Sequence, residues 1–347
     1  MSAPNPIPEL NERERLILRA IVQHFILTAN PVGSRHIARK FGINLSPATI
    51  RNVMADLEDM GLLSHPHTSA GRMPSDLGYR LYVNDLMDLG ELPSMQREQI
   101  ERELESVPAE LENVLDATTR VLASASQLLG IVVIPELQQA VLKQIELARL
   151  AERRVLVIIS LAGGPMKSIM LELEQEMTEL SVREVSGALN RRLAGLTLGQ
   201  IRDQIAERIQ NLNETPQSLI RLFVESADDL FNFTPGVDHV KIGGRAQVIT
   251  QPEFSTPGSM RGIIELVEDK DIIIHLLQNA ESKAPFTITI GRENADSRAK
   301  DLSVIAADYQ TGSSGGRLGV IGPTRMDYPR LARLLEYTAH VVSKRLS

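Results

Sequence analysis

The segment NERERLILRAIVQHFILTANP places apolar side chains at Leu16, Ile17, Ala20, Ile21, Phe25 and Leu27, with His24 on the same stripe. This spacing of threes and fours predicts an amphipathic helix. Asn11 followed by Glu14 resembles a capping box at its start, although the usual first residue is Ser or Thr, and Asn30-Pro31 stops it. A short second helix, RHIARKF, has Ser34 as its expected N-cap and Gly42 as the residue whose left-handed backbone closes it. Ser46-Pro47 supplies a cap and a first-turn proline for PATIRNVMADLEDM, which Gly61 ends. Two helices joined by so tight a turn make a helix-turn-helix pattern.

The third helix has two faces. Ile50, Val53, Met54 and Leu57 fall at core spacing, while Ala48, Thr49, Arg51 and Asn52 project elsewhere near its N-terminus. Small residues let a helix approach closely, and Arg and Asn can make paired hydrogen bonds to guanine and adenine edges in the major groove. Asp56, Glu58 and Asp59 follow only in the second half, away from where phosphates would lie. After this helix, GLLSH reads as a strand, HPHTSAGRMPS as a polar hairpin tip, and Ser75 as the cap of another helix, DLGYRLYVNDLMDLG. That order predicts a winged helix whose wing is the hairpin.

Gly90 and Pro93 interrupt the helical pattern and mark a boundary. Beyond it, Leu111, Leu115, Thr118, Leu122, Ala125 and Leu129 form the seam of a helix that packs on another helix. GIVVIPEL, VLKQIELARL and RRVLVIISL read as strands, with a turn at Glu152-Arg153, and residues 181 to 235 turn helical. HVKIGGRAQVI is strand-like and RGIIELVE helical; FTITIGREN, DLSVIAADY and RLGVIGPTR are strands, and YPRLARLLEYTAHVVSKRL is a closing amphipathic helix. Strands on both sides of a helical insertion imply one sheet domain interrupted by another element, in a multidomain α+β fold.

With 43% hydrophobic residues the chain has enough apolar material for sizeable cores. No stretch approaches the roughly 18 to 20 apolar residues of a membrane helix. MSAPNPIPELNERER lacks the basic start and apolar core of a signal peptide, so the expected location is cytoplasmic, with no membrane partner. The absence of cysteine excludes disulfides, thiolate zinc sites and cysteine nucleophiles. The net charge of −7 is unevenly spread: residues 1–90 carry nine basic and nine acidic residues, and residues 31–55 hold Arg35, Arg39, Lys40 and Arg51 with no acid. Counter-ion release on a phosphate backbone depends on charges at the contact surface, so this basic stretch is more informative than the acidic total. A solvated helix face could carry the same charges; the caps and the segregation of charge along the third helix favour recognition of DNA.

Other candidates carry less. HPH is the only close pair among the seven histidines, and metal binding there would need ligands from elsewhere in the fold. His24 fits a packed helix residue, whereas His36, beside the basic run, can face phosphate. The glycine-rich run from Gly312 to Arg325 lacks the Gly-Lys-Ser/Thr ending of a phosphate loop and suits a hairpin between strands. Asp228-Asp229 looks like solvated surface, and aromatics at 3% argue weakly against a stacking platform for single strands. No catalytic constellation and no cofactor motif emerge, so an enzyme is the weakest reading.

The run from Pro31 to Val83, with SPATIRN, HTSAGR and GYRLYV inside it, resembles the heat-inducible transcription repressors of the HrcA family. The resemblance implies a bacterial homodimeric repressor on an inverted-repeat double-stranded operator, CIRCE, ahead of chaperone operons, kept active by a GroEL-type chaperonin. It also implies a GAF-like sheet domain carrying an inserted α/β dimerisation domain. The expected division is a DNA-binding domain over 1–90, a GAF-like domain over 91–180 and 252–347, and the insertion over 181–251. The expected DNA-contacting residues are Ser34, Arg35, His36, Arg39 and Lys40 on the second helix, Ser46, Ala48, Thr49, Arg51 and Asn52 on the third, and Thr68, Ser69 and Arg72 in the wing. The alternative is a regulator whose GAF-like domain senses a small molecule, since sensor domains of that type often bind one.

Overall fold

The computed structural model describes residues 8–65, 71–134, 139–162, 166–209, 217–231, 240–278, 285–311 and 314–346. Local signals near the start are realised closely. Helix α1 (Glu12–Thr28) opens with the capping box: Asn11 Oδ1 accepts from the Glu14 amide at 3.1 Å, and the Asn11 amide donates to the Glu14 carboxylate at 2.8 Å. Its buried face differs from the expected stripe. Leu18 and Val22 are buried with Ile17, Ile21 and Phe25, while Leu16 and Leu27 are exposed, because α1 is enclosed on two sides by α2 (Ser34–Lys40), α3 (Pro47–Asp59) and the segment after the hairpin. Gly33, not Ser34, occupies the N-cap position of α2, which leaves Ser34 inside the helix and buried. Gly42 takes φ +60° directly after α2, as its place requires.

Two short antiparallel strands, β1 (Leu63–Ser64) and β2 (Met73–Pro74), form the hairpin stem. Ser75 caps α4 (Asp76–Leu81), which runs into one π-helical turn, Tyr82–Leu86, instead of continuing to residue 90. Two helices, α5 (Ser94–Glu105) and α6 (Leu111–Ser126), follow, and Leu129 lies not on the helical seam but in strand β3 (Leu129–Val133).

Next comes a separate sheet. Strands β4 (Leu142–Ala151), β5 (Arg154–Leu161) and β6 (Met166–Glu172) pair in order as an antiparallel sheet, backed by α7 (Glu179–Leu193) and followed by α8 (Leu198–Ile209), α9 (Gln217–Glu225) and α10 (Ala227–Phe231). Among the described residues, 142–172 thus pair with one another and pack on α7, with no strand of theirs joining β3. The chain returns at β7 (Val240–Gly243), so the strand-like HVKIGGRAQVI ends early. Gly244 turns with φ +85°, and Arg245–Ile249 form helix α11.

The main sheet is antiparallel throughout. Beside β3 and β7 it contains β8 (Thr287–Ile290), β9 (Leu302–Thr311) and β10 (Ser314–Pro323), in the order β7-β3-β10-β9-β8. Alternation along the strands builds a core on each face. Leu129, Ile131, Val133, Leu302, Val304 and Ala306 pack with α12 (Pro257–Glu268) and α13 (Lys270–Gln278), while Val132, Ile305, Ala307 and Tyr309 pack with α6 and the closing helix α14 (Tyr328–Leu346).

The N-terminal unit is fastened to this sheet domain through α4. Arg80 donates through Nε to Glu293 at 2.7 Å and through Nη2 to the Ile288 carbonyl at 2.7 Å, and its ion pair with Glu293 is bidentate. Asp76 accepts from the Arg292 amide at 3.1 Å, the Tyr79 and Tyr328 rings lie 5.8 Å apart, and Arg325 reaches the Ile26 carbonyl at the end of α1 at 2.8 Å. The loop that presents Glu293 is held by buried Asn294, whose amide nitrogen donates to the carbonyls of Gly291, Ala299 and Leu302 at 2.8–2.9 Å. Asn294→Ala strands these acceptors and is expected to lower the unfolding free energy by about 1–3 kcal/mol or more, read from urea denaturation.

His24 on α1 is 6% exposed, its Nδ1 has no partner among the described residues, and its ring lies 4.7 Å from that of His36. Burial, and then the nearby His36 and Lys40, push this imidazole below its ordinary value. With the folded value below the unfolded one, the unfolded chain takes up the proton first as pH falls. The contribution to stability is complete above the ordinary imidazole range and is lost as pH drops through it. His24→Leu should therefore flatten the fall of the thermal midpoint between about pH 7 and about pH 5.

Candidate nucleic-acid interface

The tight connection between α2 and α3 is built from the cap that begins α3. Ser46 Oγ accepts from the Thr49 amide at 3.1 Å and lies 2.9 Å from the Thr49 hydroxyl, so both hydroxyls serve the cap. Ile37, Ile50, Met54 and Leu57 point inward and pack with α1. That leaves Arg35, His36, Arg39 and Lys40 on α2, and Ser46, Ala48, Arg51 and Asn52 at the start of α3, on the exposed side; Thr49 is half-buried. Ser34 is 7% exposed and forms part of the floor rather than the rim.

The hairpin is joined to this pair of helices by main-chain hydrogen bonds. Val32, between α1 and α2, exchanges two of them with Arg72, both at 2.9 Å, as an antiparallel bridge. Gly71 permits that approach, since a Cβ there would stand 2.6 Å from the Val32 carbonyl. Between the stem and the helices lies a groove of about 260 Å³, lined by Val32, Gly33, Ser34, Arg51, Met54, Gly71 and Arg72. Arg51 and Arg72 thus face one space although 20 residues separate them in sequence. Thr68 and Ser69, expected at the wing tip, lie outside the described residues.

Arg72 is not free to swing. Its Nη2 is 2.6 Å from Glu58 Oε2, and the other Glu58 oxygen takes His65 Nδ1. Desolvation raises the Glu58 carboxyl, but the hydrogen bond from His65 and the guanidinium of Arg72 more than reverse this and leave it below its ordinary value. Sequence reasoning named Glu58 only as a late acid of α3 and His65 only as one of the HPH pair, and missed that Glu58 joins His65 to Arg72. One signal was present: Glu58 follows Arg51 by seven positions, two turns of helix, and so shares its face.

Elsewhere, a cleft of about 830 Å³ separates the hairpin and α4 from the sheet domain; Ser64, Asp76, Ser259, Arg292 and Lys300 are among its lining. Among the described residues no group of three or more histidines or carboxylates could hold a metal ion, and no helix is long and apolar enough to cross a membrane.

The family model described as HrcA protein C terminal domain matches residues 112–332. A heat-inducible transcription repressor HrcA of Chlorobium phaeobacteroides (strain BS1) is 40% identical, covering 98% of this chain and 99% of the relative. Its counterpart in Geobacter sulfurreducens is 37% identical, covering 97% and 98%. Among solved structures, a hypothetical protein aligns over 97% of this chain and 98% of its own with a TM-score of 0.70 at 24% identity, a likeness of fold. With the family model spanning well over half of the sequence and relatives of this similarity matching nearly all of it, the chain belongs to the HrcA family of heat-inducible transcription repressors.

Proposed function

We propose that the chain represses heat-shock chaperone operons as a homodimer on an inverted-repeat operator of the CIRCE type, gripping it through a winged helix-turn-helix over residues 1–90. The observation that carries this reading is that Arg35, His36, Arg39, Lys40, Arg51 and Asn52 are all exposed on two helices packed together, and that Arg51 shares a groove with Arg72 of the hairpin. Arg51 and Asn52 read base edges in the major groove, while Arg35, Arg39 and Lys40 neutralise phosphates; Thr68 and Ser69 belong to the wing tip in the same reading. Ser46 and Thr49 act by shaping the helix start. Ser34 acts through the floor of the groove.

Two copies on an inverted repeat need a symmetric contact. The sheet of β4, β5 and β6 supports one: α7 backs one face, and the other leaves Met166 and Met170 more than half exposed (61% and 53%), next to partly exposed Leu156 and Ile158. The inserted unit is accordingly proposed to run from about residue 140 to 239 as the dimerisation element. The five-stranded antiparallel sheet, with helices on both faces, accords with the GAF-like reading of the domain it interrupts. Control by a GroEL-type chaperonin follows from the family and is tested by adding purified chaperonin and measuring the fraction of repressor active on DNA.

The second reading, release of DNA by a small molecule, is favoured by the 830 Å³ cleft between the two parts, within the usual size range of ligand sites. A metabolite that releases operator without chaperonin would favour it.

Arg51→Ala or Asn52→Ala should weaken operator binding by about 1–3 kcal/mol and relax base preference at one position, with little effect on scrambled DNA. Arg39→Ala with Lys40→Ala should weaken both DNAs alike and reduce the salt slope by about 2 per subunit, about 4 for the dimer. Unchanged binding after all four substitutions would sink the assignment. Met166→Asp with Met170→Asp should shift the sedimentation coefficient from dimer to monomer; a stable dimer would move the interface elsewhere.

A further inference from the structure

Glu58 stands where an acidic residue is hardest to explain. It lies two turns further along the face of α3 that bears Arg51, and a negative charge on the side proposed to meet DNA weakens binding by Coulomb repulsion even at a distance from the phosphates. Yet its carboxylate reaches both legs of the hairpin: one oxygen holds Arg72 at 2.6 Å on the returning leg, and the other takes His65 Nδ1 on the outgoing leg. Arg72 is also held at its main chain by the two hydrogen bonds to Val32. Both stem residues are thereby tied to α3 by one side chain, which is 23% exposed and so less screened than a fully solvated ion pair.

We propose, building on the DNA-binding reading above, that Glu58 is a positioning residue: it clasps the two legs of the hairpin against α3 and sets Arg72 in the register that the operator requires. Binding of an ordered stem loses less freedom than binding of a free one, so the clasp favours the specific complex in spite of its charge. This makes the sign of the effect diagnostic. Removal of a mere surface acid tightens DNA binding to every sequence; loss of a clasp weakens binding to the operator selectively.

The test titrates the full-length protein, as wild type, Glu58→Gln, Glu58→Ala, Arg72→Ala and the Glu58→Ala/Arg72→Ala pair, on the inverted-repeat DNA upstream of its own gene and on a scrambled duplex. Thermal midpoints are measured alongside, and Glu58→Gln preserves shape should the alanine variant fold poorly. The expected result is that Glu58→Gln and Glu58→Ala weaken operator binding about tenfold while scrambled DNA is bound as well as before or better. Arg72→Ala should then cost little more in the Glu58→Ala background. Operator binding that is unchanged or tighter in Glu58→Gln overturns the positioning role while leaving the DNA-binding reading intact. A wild-type protein that does not distinguish operator from scrambled duplex overturns that reading, and this proposal with it.

Discussion

The pair of main-chain hydrogen bonds between Val32 and Arg72 is the constraint on which the arrangement of the N-terminal unit depends. It joins the linker between α1 and α2 to the returning leg of the hairpin, and thereby fixes how two helices and a stem are disposed around one groove. Ser75 then closes the circuit from the other side: its amide donates to the Leu62 carbonyl at 3.1 Å and its hydroxyl to the Gly61 carbonyl at 2.6 Å, so α4 cannot start anywhere else. From that fixed start Asp76 and Arg80 reach the sheet domain. The groove and the hairpin are thus held by one set of hydrogen bonds, which also sets where the helix that reaches the sheet domain begins.

What could be read from the sequence was what is decided within a few residues. The capping pair Asn11 and Glu14, the Ser46-Pro47 start of α3, the cap bond of Ser75 to the Gly78 amide and the left-handed Gly42 are local arrangements, decided within at most four positions. The basic side of α2 and the early part of α3 were legible for the same reason, since helical spacing alone brings their exposed residues to one side.

The rest was hidden by distance or by exposure. Glu58 meets Arg72 only because the chain turns back through the hairpin, and helical spacing alone placed it merely in the second half of α3, away from the expected phosphates. Strand β6 escaped notice because it is an edge strand with one uncovered face; Met166, Ser168 and Met170 on that face break the alternation of polar and apolar positions that announces a half-buried strand. Leu129 continues the apolar spacing of α6 but follows Gln127, whose positive φ of 59° ends the helix two residues earlier. The GYRLYV motif was visible as a motif, but its work was not: Tyr79 and Arg80 fasten one domain to another through residues more than 200 positions downstream.

The strand order of the main sheet also dictates when the protein can fold. Strand β3 lies inside the sheet, yet its partners β7 and β10 begin at residues 240 and 314. During synthesis the N-terminal unit can complete its own hydrogen-bonded loop early, whereas β3 keeps unpaired edges until nearly the whole chain has left the ribosome. Such long-range closure is slow and leaves sticky strand edges exposed meanwhile. Arg325, which must reach back to α1, arrives later still. The order in which these contacts can close is thus written into the chain: the hydrogen bonds that join the N-terminal unit lie within residues 32–78, whereas pairing both edges of β3 needs residues 240–321.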